Sequence, residues 1–368
     1  LRLHGFDRNK KQILYFDEAQ ESELLGSYLR FIKEDLVNTT CITTGSSMTR
    51  LFRPDQRVPV GRYLSLRLGP FSFDEFLQTA QQDALIEAVR SPVNKLTDIG
   101  QALHQNLLGE LDSYLSTGGM PEVVLQFRNG ADYKRTLKSL LLSQEEDFVR
   151  KSGFVNRRQF MDVLKGVSNF LGYTSKYTHM SDEVREIKKV ATLMQAWHLI
   201  HEVEQKCLSS TTSFYPKRYC YDLGIAQMVR NMPFPTLSIL KTLDEGLRTQ
   251  LGGLLENMVL IQLKEFQLGQ CDISGFKNGS NGNAEVDFIV FSRTIVPIEC
   301  KASQKITPRS FSSLRQYLQK SKTRIGFLVS AAPYKKYKEG GMVFYNIPLY
   351  LCRYEIFDAM VRQAHDAL

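Results

Sequence analysis

Cysteine is scarce in this sequence, and long apolar runs are missing from it. The six cysteines among the 368 residues are widely spaced, and no two of them form a C-x-x-C pair. This spacing excludes a zinc ribbon and a dense disulfide framework. Isolated cysteines are typical of proteins whose thiols stay reduced, so we expect a cytoplasmic protein.

The longest mostly apolar stretch covers residues 190–200 and is interrupted by a threonine, a glutamine and a histidine. It falls far short of the ~20 residues that a membrane-spanning helix needs, so we expect no membrane partner. The sequence also begins without a methionine, an apolar signal core or a transit pattern. We therefore expect it to be a piece of a longer protein.

Most of the chain has no excess of either charge. Residues 1–300 contain 35 basic and 35 acidic side chains, whereas residues 301–368 contain 12 basic and 4 acidic ones. The net charge of +8 therefore lies entirely in the C-terminal segment. A localised positive field attracts polyanions, which predicts DNA as a partner. A lysine-rich surface that serves only solubility is the alternative.

The first part of the chain alternates between strand and helix patterns. An apolar run in residues 11–21 ends abruptly at Asp17 and Glu18, as a buried parallel strand does at its carboxyl end. An amphipathic segment and a second apolar run at residues 39–44 follow, and residues 63–68 are a third candidate strand. Strand, helix and strand within about 30 residues predict one βαβ unit of a parallel sheet.

The middle of the chain has a mostly helical pattern. Residues 181–205 begin with an N-capping serine and carry apolar residues at helical spacing, which predicts a long helix. Short apolar segments at residues 199–203 and 218–221 flank a polar loop, as in a small two-stranded wing. A winged helix-turn-helix would contact DNA phosphates, but the balanced charge of this region equally favours a structural connector.

After a predicted helix at residues 246–266, short strands dominate, with one amphipathic helix at residues 310–320 among them. This order predicts a mixed sheet flanked by helices. The fold class we expect is α/β and multidomain. Its three predicted parts are a strand-rich N-terminal part, a helical lid with the winged-helix-like region, and a C-terminal mixed α/β domain, at residues 1–82, 83–235 and 236–368.

The clearest chemical signal lies in the C-terminal part. A three-residue turn between two apolar strands would pair Phe291 with Ile295 and so place Asp287 directly opposite Glu299, with Lys301 on the same face. Facing Cβ atoms lie ~4.5 to 5.5 Å apart, close enough for two carboxylates to share a divalent cation. Either that cation or Lys301 would serve as their counter-ion. An exposed hairpin with acids facing solvent is the alternative.

The pattern D-x(11)-E-C-K resembles the signature of the PD-(D/E)xK nuclease superfamily. The resemblance implies a restriction-endonuclease-like sheet with Asp287, Glu299 and Lys301 as catalytic residues that hydrolyse phosphodiesters. It implies Mg²⁺ or Mn²⁺ held by Asp287, Glu299 and the helical Glu256, with Gln316 as an assisting residue. Glu256 is equally explained as an acid near a helix start. Many members of this superfamily keep the fold without the activity.

The apolar strand that ends in Asp17 and Glu18 resembles the Walker B motif of ATPases. The resemblance implies that Asp17 holds Mg²⁺ through water and that Glu18 activates the water that attacks the γ-phosphate. The end of the next strand offers Ser46 as a sensor of the γ-phosphate, and Arg62 is placed to supply an arginine finger. Each of these residues, taken singly, is also compatible with an ordinary loop at a strand end.

The chain as a whole resembles bacterial and archaeal AAA-type ATPases whose C-terminal half is the domain of unknown function DUF4143. The resemblance rests on the segments ILYFDEAQ, TTGSS, VGRY, GPFSFDEFL, YLSTGGMPEVV, RYCYDLGI, GGLLENMVLIQL and AEVDFIV. It implies a truncated RecA-like P-loop ATPase core that forms homo-oligomers. The family's G-x-x-x-x-G-K-[ST] phosphate loop has no counterpart here, because the sequence contains no Gly-Lys dipeptide. We therefore expect ATP to bind only if such a loop lies upstream.

These features together predict an ATP-dependent DNA-processing protein, in which an AAA-type ATPase is fused to a Mg²⁺-dependent nuclease-like domain. The alternative is a catalytically inactive, nucleotide-responsive module that binds DNA or protein.

Overall fold

The computed structural model describes residues 6–7, 9–22, 24–45, 63–64, 66–90, 99–208, 214–231, 236–237, 240, 245–265, 272–278, 284–292 and 294–366. The chain divides into two compact units, Leu1–Leu66 and Arg67–Leu368.

The first unit contains β1 (Gln12–Phe16), α1 (Leu25–Asp35) and β2 (Thr39–Thr43). The two strands are parallel and pair along their whole length. A small apolar cluster centred on Ala19 and Leu25 lies between the helix and the strand ends. The βαβ unit predicted from the apolar pattern is therefore confirmed.

Two further predictions for this unit are not confirmed. The third strand predicted at residues 63–68 is wrong, because residues 63–64 and 66–68 of the described chain form no strand. Alternating apolar residues are a local signal, whereas a strand also needs a neighbour that completes its hydrogen bonds. Ser46 and Arg62, the predicted sensor and arginine finger, lie outside the described residues.

Helices form the first half of the second unit. In chain order they are α2 (Phe73–Gln78), α3 (Asp83–Arg90), α4 (Gln101–Thr117), α5 (Pro121–Arg128), α6 (Tyr133–Ser152), α7 (Arg157–Asn169) and α8 (Val184–Ala196). A capping box starts α2, in which Ser72 and Glu75 each accept a hydrogen bond from the other's backbone N–H. Local sequence signals therefore set the starts of several helices.

The long helix predicted at residues 181–205 is wrong at both ends, because α8 begins at Val184, with Glu183 and not the predicted serine at the N-cap, and ends at Ala196. His198 has a positive φ of 59°, which ends the helical path. The chain then forms β3 (Ile200–Val203), which pairs with the antiparallel strand β5 (Lys217–Cys220). The two-stranded wing predicted for these segments is confirmed. Strand pairing with β5 overrides the helical periodicity of the apolar residues.

The second half of the unit is built around a seven-stranded mixed sheet in the order β10-β11-β9-β8-β7-β6-β4. Its strands are β4 (Gln205–Lys206), β6 (Asp272–Lys277), β7 (Glu285–Phe291), β8 (Ile295–Lys301), β9 (Ile325–Ser330), β10 (Lys335–Glu339) and β11 (Met342–Pro348). The helices of this half are α9 (Leu223–Arg230), α10 (Glu245–Glu265), α11 (Ser312–Lys320) and α12 (Tyr354–Asp366). A mixed sheet with helices, as predicted, is therefore confirmed.

The larger of the two hydrophobic clusters described in the second unit extends from α2 to α12, and the smaller one packs α11 against the sheet. The larger cluster joins Phe73 and Tyr114 of the helical half to Phe288 and Phe357 of the sheet half. The short strand β4 also connects the two halves, because it pairs in parallel with β6 at the sheet edge. Within the described ranges, no helix is long and apolar enough to span a bilayer.

Candidate functional site

The hairpin of β7 and β8 carries the predicted acids. Its register pairs Phe291 with Ile295 and Phe288 with Ile298, as the turn length predicted. The paired ladder ends there, one residue short of Asp287 and Glu299, and both acids line the same cavity. Their direct pairing stays a prediction. Beside Asp287, the pairing of β7 with β6 shifts register between Ser274 and Phe276.

The Asp287 carboxylate contacts the backbone of β8. Its Oδ2 atom accepts a hydrogen bond from the Cys300 N–H at 2.8 Å. Its Oδ1 atom accepts one from the Lys217 ammonium, also at 2.8 Å. Both oxygens of the predicted catalytic aspartate therefore have protein partners.

Lys217, the first residue of β5, provides the cation of this site. Its Nζ lies 2.7 Å from Oε1 of Glu285, 2.8 Å from Oδ1 of Asp287 and 3.1 Å from Oε2 of Glu256. The lysine side chain is only 2% exposed. Lys217 is therefore the counter-ion of Asp287, whereas Nζ of Lys301, the predicted counter-ion, lies 3.7 Å from Oε1 of Glu299. The metal, predicted as the other possible counter-ion, stays a prediction.

Helix α10 brings Glu256 to the cluster and fixes β5 beside it. The Tyr219 hydroxyl donates to Oε2 of Glu256 at 3.0 Å. The neighbouring Asn257 side chain accepts from the Cys220 N–H at 2.7 Å and donates to the Cys220 carbonyl at 2.9 Å. These contacts explain why an acid and an amide adjoin each other in the segment GGLLENMVL.

Close backbone approach explains the glycines of the same segment. A methyl group on Gly253 would lie 2.1 Å from the carbonyl oxygen of Leu171. Gly172 has a positive φ of 78°, and a methyl group there would lie 3.0 Å from Oε1 of Glu256. The loop after α7 therefore packs directly on α10 beside the carboxylates.

A cavity of about 300 Å³ opens onto the cluster. Its polar lining comprises Tyr173, Lys217, Thr249, Glu256, Glu285, Asp287, Glu299 and Ser313. Oε2 of Glu299 is buried and has no hydrogen-bond partner among the described residues. Gln316, the predicted assisting residue, is exposed and accepts from Asn278, while Ser313 is the α11 side chain that lines the cavity.

The charges of the cluster are set by burial and by mutual repulsion. Burial, followed by the charge of Asp287, raises the pKa of Glu256 to about 8 and raises that of Glu299 well above its usual range. Burial opposes the charge of Lys217, but the attraction of the surrounding carboxylates outweighs it and raises the lysine pKa well above its usual range. Lys217 therefore stays charged at neutral pH, while burial favours the protonated form of Glu256.

A divalent cation does not fit this arrangement. The space between Glu256, Glu285 and Asp287 is filled by the Lys217 ammonium. No three His, Cys, Asp or Glu side chains of the described ranges are grouped as ligands of one metal ion. The metal-binding roles predicted for Glu256, Asp287 and Glu299, and the catalytic role of Lys301, stay predictions.

In the first unit, the predicted Walker B residues lie at the carboxyl end of β1. Oδ1 of Asp17 accepts a hydrogen bond at 2.7 Å from the hydroxyl of Thr44, the residue that follows β2. Glu18 has a positive φ of 46°, and its carboxylate accepts from Gln20. A strand-end carboxylate beside a hydroxyl is the polar arrangement expected for these positions, while the catalytic and cofactor roles of Asp17 and Glu18 stay predictions.

Sequence reasoning missed four residues of these sites. They are Thr44 beside Asp17, and Lys217, Tyr219 and Glu285 of the carboxylate cluster. Glu285 was detectable, because it lies two residues before Asp287 in the same predicted strand and shares its face. Lys217 had no local signal, because its partners are far away in the sequence.

Comparison with protein families gave three matches, each to a separate part of the chain. Residues 2–77 match an AAA domain family, and residues 251–350 match the domain of unknown function DUF4143. Residues 108–236 match a further domain of unknown function, DUF8612, which the sequence analysis did not anticipate. A comparison with curated proteins gave no match. The chain is therefore similar to an AAA domain at its N-terminus and to DUF4143 over the sheet that carries the carboxylate cluster.

Proposed function

We propose that this chain is a nucleotide-responsive DNA-binding module whose nuclease-like C-terminal region does not cleave DNA. One observation carries the proposal: the Lys217 ammonium lies within 3.1 Å of three carboxylates, where a nuclease of this kind would hold its metal. Metal-dependent hydrolysis of a phosphodiester needs a cation that binds both water and phosphate. A buried lysine side chain supplies charge but no coordination site for water.

Exposed cations of the C-terminal segment support DNA as the partner. None of seven exposed basic side chains forms an ion pair within the part of the chain that the structure describes; they are Lys305, Arg309, Lys322, Arg324, Lys335, Lys336 and Lys338. Unpaired lysines and arginines neutralise phosphates and release counterions, which drives non-specific DNA binding. Lysines on β10 also discourage pairing at the sheet edge, and this is the competing explanation for three of them.

The sheet register brings some of these cations together. Lys338 lies opposite Val343, which pairs with Ile325 on its other side. The Val343 N–H donates to the carbonyl of Arg324 at 2.9 Å. Neighbouring strands lie about 4.8 Å apart, so Lys338 and Arg324 start from backbones roughly 10 Å apart. Lys322 precedes Arg324 by two residues, and these three cations, at the start of β9 and on the strand two places away, are here called the strand-start patch.

The nucleotide response is inferred from the first unit. Its match to an AAA domain supports an ATPase-related role. Asp17 and Thr44 offer a carboxylate and a hydroxyl at adjacent strand ends, and this donor set fits the Mg²⁺ side of a nucleotide site. The phosphate loop that would hold the nucleotide is not encoded in these 368 residues. Asp17 and Glu18 would therefore contribute one half of a nucleotide site.

A second candidate function, metal-dependent cleavage of DNA, is favoured by one observation. Oε2 of Glu299 is buried at the cavity without a partner, and Lys301 lies beside the other oxygen of the same carboxylate. An unpaired buried oxygen is costly unless a ligand or cation satisfies it. Displacement of Lys217 would be needed before a cation reached Glu299 and Asp287 together.

A cleavage and binding assay tests both candidates. The chain is incubated with plasmid, single-stranded DNA and RNA in Mg²⁺ or Mn²⁺. We expect DNA to be retarded in a gel and to remain intact. Cleavage that is lost in Asp287→Ala and kept in Asp272→Ala, an exposed acid on the adjacent strand, would establish the second candidate. Intact DNA without any retardation would contradict the DNA-binding proposal.

A further inference from the structure

Among the residues that the structure describes, the cation buried within the carboxylate cluster is the ammonium of Lys217. Three carboxylate oxygens, one each from α10 and from two positions of β7, surround Nζ of Lys217 at 2.7 to 3.1 Å. Lys301 and Lys277 are peripheral, since each lies at least 3.7 Å from its carboxylate partner and is about 30% exposed. Lys217 alone is buried at the centre.

We infer that Lys217 is the resident cation of this cluster and that removing its ammonium turns the cluster into a binding site for a divalent cation. The inference deepens the proposed function and rests on its claim that the native site works without metal.

A buried charge without a partner destabilises the fold. Carboxylates brought together away from water repel one another and need a positive partner. In the native chain Lys217 meets that need through three short contacts. Without the ammonium, the same oxygens would have to be neutralised by protons or by another cation. Carboxylate oxygens are the preferred ligands of hard divalent cations.

The donor geometry is suitable for such a replacement. Mg²⁺–O distances are about 2.1 Å and Ca²⁺–O distances about 2.3 to 2.6 Å, so the oxygens around Lys217 would need to move inward by roughly 0.5 to 1 Å. Oε2 of Glu299 lies buried at the same cavity without a partner and is available as a further ligand. The cavity of about 300 Å³ leaves room for water molecules that complete the coordination shell.

Lys217 is held in place by its own strand. It pairs with Val203 of β3, and its backbone also forms a bridge with Thr174. The Asn257 side chain ties the end of the same strand to α10. The ammonium is therefore part of the folded framework, and we expect divalent cations not to displace it.

The test compares the full chain with its Lys217→Met variant, in which an apolar side chain of similar length fills the space of the lysine stem. Mn²⁺ binding is measured by calorimetry, and thermal unfolding is followed with and without Mn²⁺. We expect no Mn²⁺ binding at this cluster in the native chain. We expect Lys217→Met to bind one Mn²⁺ and its unfolding midpoint to rise by about 5 °C at a hundredfold excess over Kd.

Two further variants keep the test decisive. Lys277→Met removes a peripheral lysine of the same cluster, and we expect it to behave like the native chain. Lys217→Met combined with Glu285→Gln lowers the repulsion, and we expect this variant to fold even if the single change prevents folding. Absence of Mn²⁺ binding in both Lys217 variants would overturn the inference. So would Mn²⁺ binding by the native chain that is lost in Asp287→Asn.

These readouts are independent of DNA. A native chain that binds no DNA would contradict the proposed function and leave the metal result intact. Failure of the Lys217 variants to bind Mn²⁺ would leave the DNA-binding proposal standing.

Discussion

Lys217 and Asp287 are 70 positions apart in the sequence, yet Nζ of the lysine lies 2.8 Å from Oδ1 of the aspartate in a buried contact. The pair joins β5 of the wing to β7 of the seven-stranded sheet. Buried ion pairs add little net stability, but they specify which groups must meet. This contact therefore fixes how the wing strand is seated on the sheet, and the same residues define the candidate site.

Among single polar side chains, Asn257 should contribute most to holding β5 in its place. Its side chain forms hydrogen bonds with both backbone groups of Cys220. Asn257→Ala removes a buried donor and a buried acceptor at once, so we expect a loss of about 2 kcal/mol in the free energy of unfolding. Urea titration measures it. Asn106→Ala, at an exposed position of α4, should change the free energy by less than about 0.5 kcal/mol.

Adjacent glycines of α10 should respond in opposite directions to the same substitution. A methyl group on Gly253 would lie 2.1 Å from the Leu171 carbonyl oxygen, whereas one on Gly252 would meet nothing within 4 Å. We expect Gly253→Ala to destabilise the chain by about 2 kcal/mol and Gly252→Ala to stabilise it by about 0.5 to 1 kcal/mol. Parallel urea titrations decide this, and equal effects at both positions would contradict the close approach of the loop.

Glu256 should make the stability of the chain depend on pH. Its pKa is about 8 in the folded state, mainly because the carboxyl is buried, and close to the ordinary value when unfolded. The folded chain therefore keeps a proton that the unfolded chain releases. The free energy of unfolding should therefore fall as pH rises from the ordinary glutamate pKa to about 8, by up to about 1.4 kcal/mol per pH unit for this group.

The check is the free energy of unfolding from pH 5 to pH 9. Glu256→Gln should reduce the slope of the unfolding free energy against pH by the contribution of about one proton. The buried Glu299 should leave a residual slope of the same sign. Glu245→Gln, at the exposed start of the same helix, should keep the native slope. A slope unchanged by Glu256→Gln would show that this carboxyl titrates normally.

The strand-start patch should contribute to DNA affinity in a salt-dependent way. Replacing Lys322, Arg324 and Lys338 together by alanine should weaken binding and lower the magnitude of the slope of log K against log salt. The expected change is about 0.9 for each phosphate contact that is lost. Fluorescence anisotropy at several salt concentrations measures it.

The matched control is the triple alanine variant of Lys134, Arg135 and Lys138, which has the same charge change on the exposed face of α6. We expect it to keep the native salt slope. Equal losses in both triple variants would mean that net charge, and not the strand-start patch, determines binding.

The sequence by itself determined the elements whose signals are local. Alternation and turn length gave the register of the β7–β8 hairpin down to the pairing of Phe291 with Ile295. Strand ends and amphipathic spacing gave the βαβ unit of the first 45 residues and the helices α10 and α11. These features depend on residues within one or two neighbouring elements. The regular spacing of apolar residues along the sequence therefore predicts them.

Only the tertiary structure decided which charges share the candidate site. β5 placed Lys217 between the acids, and the carboxylate of Asp287 reached the backbone of β8. The end of α8 at Ala196 likewise depended on β3 finding its partner β5. The partner of a buried charge is the opposite charge that the packing of distant elements places next to it. The local spacing of residues in the sequence does not specify that partner.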